Sequence, residues 1–224
     1  VAGKQTQKGV RPINTLQAPS FSEERALKAR GYRFIAGVDE VGRGALMGPV
    51  VAAAVILPLD LRASWRTQVR DSKQLLPAQR ERLYNHIQKK AVATAVGIVS
   101  PEEIDTMGIA RATRLAMKSA VEQLVPEPQF LLIDYFNLSE VTIPQKGITF
   151  GDSLCFSIAC ASIIAKVHRD RMVTEMDEIY PGYQFSKHKG YGTREHLACL
   201  RSRGPCPAHR RSFMPIKAIL ERSL

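Results

Sequence analysis

Phe34-Ile35-Ala36-Gly37-Val38-Asp39-Glu40-Val41-Gly42-Arg43-Gly44 sets an apolar run directly against two adjacent carboxylates and a glycine–arginine–glycine turn. The run from Phe34 to Val38 reads as a buried strand, expected over 33–38. Uncompensated carboxylates beside an apolar core are costly, so something positive should offset Asp39 and Glu40. A divalent metal ion is the simplest candidate. Gly42 and Gly44 let backbone approach a ligand closely, and the Arg43 guanidinium suits a phosphate. The segment therefore predicts metal-dependent chemistry on a phosphate.

Further along the chain the same pattern recurs. Phe130-Leu131-Leu132-Ile133-Asp134 is a second apolar strand ending in an acid, and Asp152 follows a predicted strand over 143–150. If the strands carrying Asp39 and Asp134 are parallel neighbours, their C-terminal ends bring Asp39, Glu40, Asp134 and Asp152 to one edge of a sheet, where ligands of α/β folds bind. An all-oxygen set suits Mg2+ or Mn2+. Two such ions form a device for in-line phosphodiester displacement. A strand-end Asp is also an ordinary turn residue, but three strand ends that all finish in acids are hard to attribute to turns.

Other strands are expected over 49–57 and 91–99, and helices over 77–90, 109–125, 153–179, 193–203 and 216–222. Ser20-x-x-Glu23 has the form of a capping box opening a short helix before Gly31. The order fits an α/β fold, a five-stranded mixed sheet flanked by helices with a C-terminal helical extension. The expected organisation is a flexible basic tail over 1–19, a catalytic domain over 20–180, and a nucleic-acid-binding extension of it over 181–224.

The net charge of +11 over 224 residues is unevenly placed. From Gly182 onward nine Lys/Arg stand against two acids, which is +7 of that total. A basic segment beside an acidic constellation points to a polyanion held by one part and attacked by another, although a basic surface serving only solubility gives the same count. The four cysteines form no CxxC pair and have no zinc-like spacing, so free thiols are expected. The longest apolar run, 50–57, is too short for a membrane span, and no leader pattern is present, so a cytoplasmic protein without membrane contact is expected, as a monomer.

Secondary motifs take their meaning from the acids. Ser72 and Lys73 lie in Asp71-Ser72-Lys73, either a helix-capping turn or a phosphate contact. Lys166 begins a charged run, Lys166 to Arg171, on the long helix; Asp170 and Arg171 read best as partners in local ion pairs. Tyr191 sits between Gly190 and Gly192 in the basic region, where a ring either packs or stacks on a sugar or base. The five histidines have no metal-like spacing.

These residues together resemble a type 2 ribonuclease H of the bacterial ribonuclease HII kind. The matching segments are AGVDEVGRG (36–44), GPVVAAAVIL (48–57), RDSKQL (70–75), LLID (131–134), GDSLCFSIACASIIAKVHRDR (151–171), HKGYGT (188–193) and HRRSF (209–213). The resemblance implies a ribonuclease H-like fold, cleavage of the RNA strand of RNA/DNA hybrids, and nicking 5′ of a ribonucleotide embedded in duplex DNA, leaving a 3′-hydroxyl and a 5′-phosphate. It implies metal ligation by Asp39, Glu40, Asp134 and Asp152. Gly42, Arg43 and Gly44 would read the ribose 2′-hydroxyl and neighbouring phosphate, and Tyr191 the RNA-to-DNA junction. Phe150 stands where the family usually has Lys, and Tyr135 where it often has Gly. A catalytically silent nucleic-acid-binding module on the same fold would be expected to lack one of the four carboxylates, and all are present.

Overall fold

The computed structural model describes residues 18–221. Most of the expected basic tail lies outside the described residues; Pro19, at its inner end, is buried. Five strands, β1 (Ile35–Val41), β2 (Val50–Ile56), β3 (Ala93–Val99), β4 (Phe130–Asp134) and β5 (Gln145–Ile148), form one mixed sheet in the order β3-β2-β1-β4-β5. The first three are antiparallel neighbours, whereas β1–β4 and β4–β5 are parallel.

β1 runs three residues beyond its expected end. Asp39, Glu40 and Val41 keep their strand conformation because β2 pairs with them, opposite Ala53, Ala52 and Val51. The carboxylates are thus in the strand rather than after it. In the parallel pair Val38 is level with Ile133. One step further, Asp39 and Asp134 stand side by side at the C-terminal ends of neighbouring strands.

Helices cover both faces. On one lie α1 (Ser22–Ala29), α2 (Pro77–Lys90) and the central α6 (Phe156–Ile179), packed on Val51, Ala53 and Val55 through Phe21, Leu83, Ile87, Phe156 and Ile163. On the other, α3 (Pro101–Met107) and α4 (Ile109–Glu122) cover Ala36, Val38, Ala52 and Ile56 with Ile104, Ala112, Ala116 and Met117. Every residue of α6 from Phe156 to Ala165 is buried, as a helix apolar all round must be. It lies so close to β1 that a Cβ on Gly37 would fall 2.2 Å from the Ser157 carbonyl carbon.

Two local expectations are corrected. The helix expected from Ser153 is broken at Cys155, which is extended (φ −109°, ψ 127°) and separates α5 (Gly151–Leu154) from α6. The break is a long-range effect. Ser20 bridges Cys155, donating to Leu154 O at 3.0 Å and accepting from Phe156 N at 3.0 Å. Buried Glu24 Oε1 accepts the Ser157 N–H at 2.8 Å and so caps α6. Ser20 therefore does not cap α1; Phe21 holds that position, without a side-chain cap.

The C-terminal segment folds as α7 (Phe185–His188), α8 (Arg194–Arg203) and α9 (Ile216–Glu221). It attaches through the residues just after the Gly-Arg-Gly turn. Met47 packs among Val173, Tyr183, Phe185 and Ala208, and Leu46 against Leu200 and Ile216. Backbone bonds from Leu46 N to Gly190 O (2.8 Å), Arg210 N to Leu46 O (2.9 Å) and Gly48 N to Ala208 O (2.9 Å) stitch the two parts together. No helix among the described residues is long and apolar enough to cross a membrane, and all four cysteines are free.

Candidate active site

Each carboxylate arrives from a different constraint. Asp39, 4% exposed, is fixed in β1, and its Oδ1 accepts the Glu40 N–H at 2.7 Å. Asp134 ends β4 and accepts the Gly151 N–H at 2.7 Å, which ties it to the turn into α5. Asp152 stands in the first turn of α5, with Lys73 Nζ 3.9 Å from its Oδ2. Glu40 Oε1 receives Arg43 Nη1 at 3.3 Å.

Their electrostatics are those of a crowded acidic group. Burial, then Glu40, Asp134 and Asp152, push the Asp39 carboxyl well above the usual range. Burial raises Glu40 and Asp134 too, against the help of Arg43 and of the Gly151 N–H respectively. Asp152 is pushed up to about 6 by burial, then by Asp71 and Asp134. Burial acts to lower Lys73, but Asp71, Asp152, Asp39 and Asp134 prevail and hold it above its ordinary value.

All four donors are carboxylates, the oxygen chemistry that a hard divalent cation takes. Among the described residues, no hydrogen-bond donor reaches Asp39 Oδ2, Asp134 Oδ2 or Glu40 Oε2, and Glu40 Oε2 is buried without a partner. A buried anionic oxygen with no donor is expensive, and a cation relieves that cost. Among the described residues, no group of three or more Asp, Glu, His or Cys side chains is placed so as to hold a metal ion as it stands. The carboxylates form an open rim, each with one oxygen committed or adjacent to a protein group.

Beside this rim is a groove of about 400 Å3 lined by Glu40, Val41, Gly42, Arg43, Gly44, Ser72, Lys73, Ser162, Lys166 and Tyr191. All seven residues expected to bind substrate therefore meet in one place. Ser72 and Ser162 share a hydrogen bond of 2.8 Å. Lys166 Nζ pairs with Asp170 at 2.7 Å and lies 5.9 Å from the Tyr191 ring centroid. The Arg43 guanidinium sits over the Phe136 ring, 4.8 Å from its centroid, a cation–π contact that helps hold it. Asp170 makes the expected local ion pair, with Lys166, whereas Arg171 pairs with Glu81 of α2, 90 residues away, rather than within its own helix.

Residues that sequence reasoning passed over hold this groove in shape. Arg169, fully buried, donates to the carbonyls of Pro49 (2.9 Å), Lys189 (2.9 Å) and Met47 (3.0 Å). Arg210, also fully buried, donates to Gly48 O at 3.0 Å and Arg43 O at 2.9 Å. Gly42 has φ +91°, and a Cβ there would lie 2.1 Å from Arg169 Nε. In sequence both arginines look like members of a charged run; their partners are distant carbonyls, which leave no local signal.

Comparison with known proteins shows the family and the fold. The family model described as Ribonuclease HII matches residues 36–216. A curated ribonuclease HII of Dehalococcoides mccartyi is 56% identical over 207 residues, covering 92% of this chain and 98% of that protein. The crystal structure of the ribonuclease H2 from Pyrococcus horikoshii OT3 superposes with a TM-score of 0.72 at 26% identity, covering 84% of this chain and 98% of that one. That of Bst ribonuclease HIII in complex with Mn2+ shares the fold at a TM-score of 0.65 and 21% identity, covering 85% of this chain and 70% of that one.

Proposed function

The chain belongs to the ribonuclease HII family, a metal-dependent endoribonuclease acting on RNA/DNA hybrids, and from that premise we propose how its own residues do the work. Asp39, Glu40, Asp134 and Asp152 hold the divalent ions, Mg2+ or Mn2+. When bound, a pair of ions would supply a water of lowered pKa and neutralise charge developing on the leaving oxygen. The reaction is in-line hydrolysis of the phosphodiester 5′ to a ribonucleotide. Water oxygen joins phosphorus, the bond to the upstream O3′ breaks, and the products carry a 3′-hydroxyl and a 5′-phosphate.

The remaining groove residues bind and select. Gly42 and Gly44 expose backbone around Arg43, so N–H groups and a guanidinium can take the scissile phosphate and the 2′-hydroxyl, the group that separates RNA from DNA. Arg43 is pre-set for that task by Glu40 on one side and Phe136 on the other. Lys73 and Lys166 neutralise adjoining phosphates. The half-buried Tyr191 packs on the following sugar and senses the step from RNA to DNA.

The observation that carries this reading is the side-by-side placement of Asp39 and Asp134 on parallel strands, beside a groove floored by the Gly-Arg-Gly turn. The test is a DNA duplex with one embedded ribonucleotide, incubated with Mg2+ or Mn2+. A nick 5′ of the ribonucleotide, with an all-DNA duplex left intact, is expected. Cleavage of both would mean a nuclease blind to the 2′-hydroxyl; binding without cleavage would mean a silent module.

A further inference from the structure

Three imidazoles are buried together in the C-terminal segment, outside the acidic groove. His188, His196 and His209 are 8%, 0% and 1% exposed. The rings of His188 and His196 stack at 4.2 Å, and His196 Nε2 lies 3.0 Å from His209 Nε2. Phe185 packs on all three. This is not a metal centre. Cys206 Sγ approaches His209 at Nδ1 (3.2 Å) while His196 approaches at Nε2, so sulfur and second imidazole lie on opposite nitrogens of one ring.

Two ring nitrogens 3.0 Å apart share one proton, and the outer nitrogens decide which ring carries it. The Cys206 N–H donates to His209 Nδ1 at 3.0 Å. Cys206 O, 3.2 Å from the same nitrogen, already accepts the His209 N–H at 3.0 Å. His209 therefore carries its proton on Nε2 and donates to His196 Nε2. His196 must then be protonated at Nδ1, which faces Tyr191 O at 2.9 Å. The hydrogen bonds run in one direction from Cys206 to Tyr191. Burial holds both rings down to about 4, so each is neutral at pH 7 and able to keep a single tautomer.

The next residue completes the arrangement. Arg210 grips Arg43 O at 2.9 Å, and Met47 bridges His209. We propose that the His209–Arg210 pair is the gauge that sets Tyr191 against the Gly-Arg-Gly turn, with His196 and His209 as positioning residues that fix the Tyr191 backbone through one ordered hydrogen-bond chain. The proposal rests on the reading of Tyr191 as the junction sensor. A displaced Tyr191 carbonyl shifts the ring relative to Arg43, so the cost falls on discrimination between substrates.

Two measurements on the full chain test it. Long-range 1H–15N correlation spectra at pH 7 should show neutral rings, with His209 protonated at Nε2 and His196 at Nδ1. Protonation of His196 at Nε2, or an imidazolium at either site, overturns the chain. Independently, His209→Leu should lower at least fivefold the ratio of kcat/KM for a single-ribonucleotide duplex to that for a continuous RNA/DNA hybrid, with the loss carried by KM. His209→Gln, whose amide donates from the Nε2 position, should restore most of it. An unchanged ratio in a folded His209→Leu, or no rescue by Gln, overturns the positioning role. If His209→Leu does not fold, the spectra and His209→Gln, which should keep the ratio within twofold, decide. If Tyr191→Ala leaves that ratio unchanged, the Tyr191 reading fails, while the spectra still judge the chain by itself.

Discussion

Gly42→Ala should damage this protein far more than a one-methyl change ordinarily does. The new Cβ would sit 2.1 Å from Arg169 Nε, 2.6 Å from Cδ and 2.9 Å from Cζ, at a residue with φ +91°. Arg169 cannot swing aside cheaply, because it is fully buried and its three donor nitrogens are spent on the carbonyls of Pro49, Lys189 and Met47. Left-handed backbone costs an alanine about 1–2 kcal/mol. Breaking one hydrogen bond of a charged group adds about 1.5–3 kcal/mol, for a total near 3–5 kcal/mol. For a chain of this size about 2–4 °C is lost per kcal/mol, so Tm should fall by roughly 6–20 °C. Cleavage should fall as well, since Arg169 ties the turn to the Tyr191 segment. Gly44→Ala is the control. A Cβ there meets nothing within 4 Å, and that variant should unfold within about 0.5 kcal/mol of the parent. Thermal melts and urea titrations of both variants read the difference in stability, and kcat/KM on a single-ribonucleotide duplex is followed for Gly42→Ala. A Gly42→Ala protein that melts with the parent and cuts normally would refute the reasoning.

Two further outcomes follow from the site. The Asp152 carboxyl, raised to about 6 from an ordinary value near 3.8, contributes stability that is present below the unfolded value and lost as pH rises through about 6. Asp152→Asn should therefore stabilise the metal-free protein at pH 7.5 by about 3 kcal/mol, and most of the gain should be gone by about pH 4; a gain constant across pH would show that the carboxyl is unperturbed. Tyr191→Ala should leave Tm within a few degrees while narrowing the preference for an embedded ribonucleotide, as measured by competing the two substrates in one reaction; an undiminished preference removes Tyr191 from the junction-sensing role.

Much of the site was legible because its chemistry is local. Asp39-Glu40 and Asp134 end apolar runs, and the turn residues sit beside the first pair, so the shared sheet edge needed only one condition from the structure, that β1 and β4 be parallel neighbours. The strand cores followed for the same reason: continuous apolar segments such as Val50–Ile56 have one place to go. What stayed hidden depends on partners far away in sequence. The break at Cys155 is set by Ser20 and Glu24, more than 130 residues earlier. Arg169 and Arg210 bind carbonyls as much as 167 residues distant, so nothing beside them reveals their burial. The histidines lack ligand spacing because they bind one another and backbone rather than a metal. Phe150 and Tyr135, which depart from the family pattern, both adopt left-handed backbone, at φ 59° and 62°, and both are exposed.

The most direct test of the carboxylate assignment is a Mn2+ titration at pH 7.5, following free ion by electron paramagnetic resonance, on the parent chain and on Asp39→Asn. Asn fits the same volume and removes a buried charge from an acidic crowd, so the variant should fold. Its Mn2+ affinity should be at least tenfold weaker, about 1.4 kcal/mol or more. Affinity equal to the parent's would place the metal elsewhere and contradict the account.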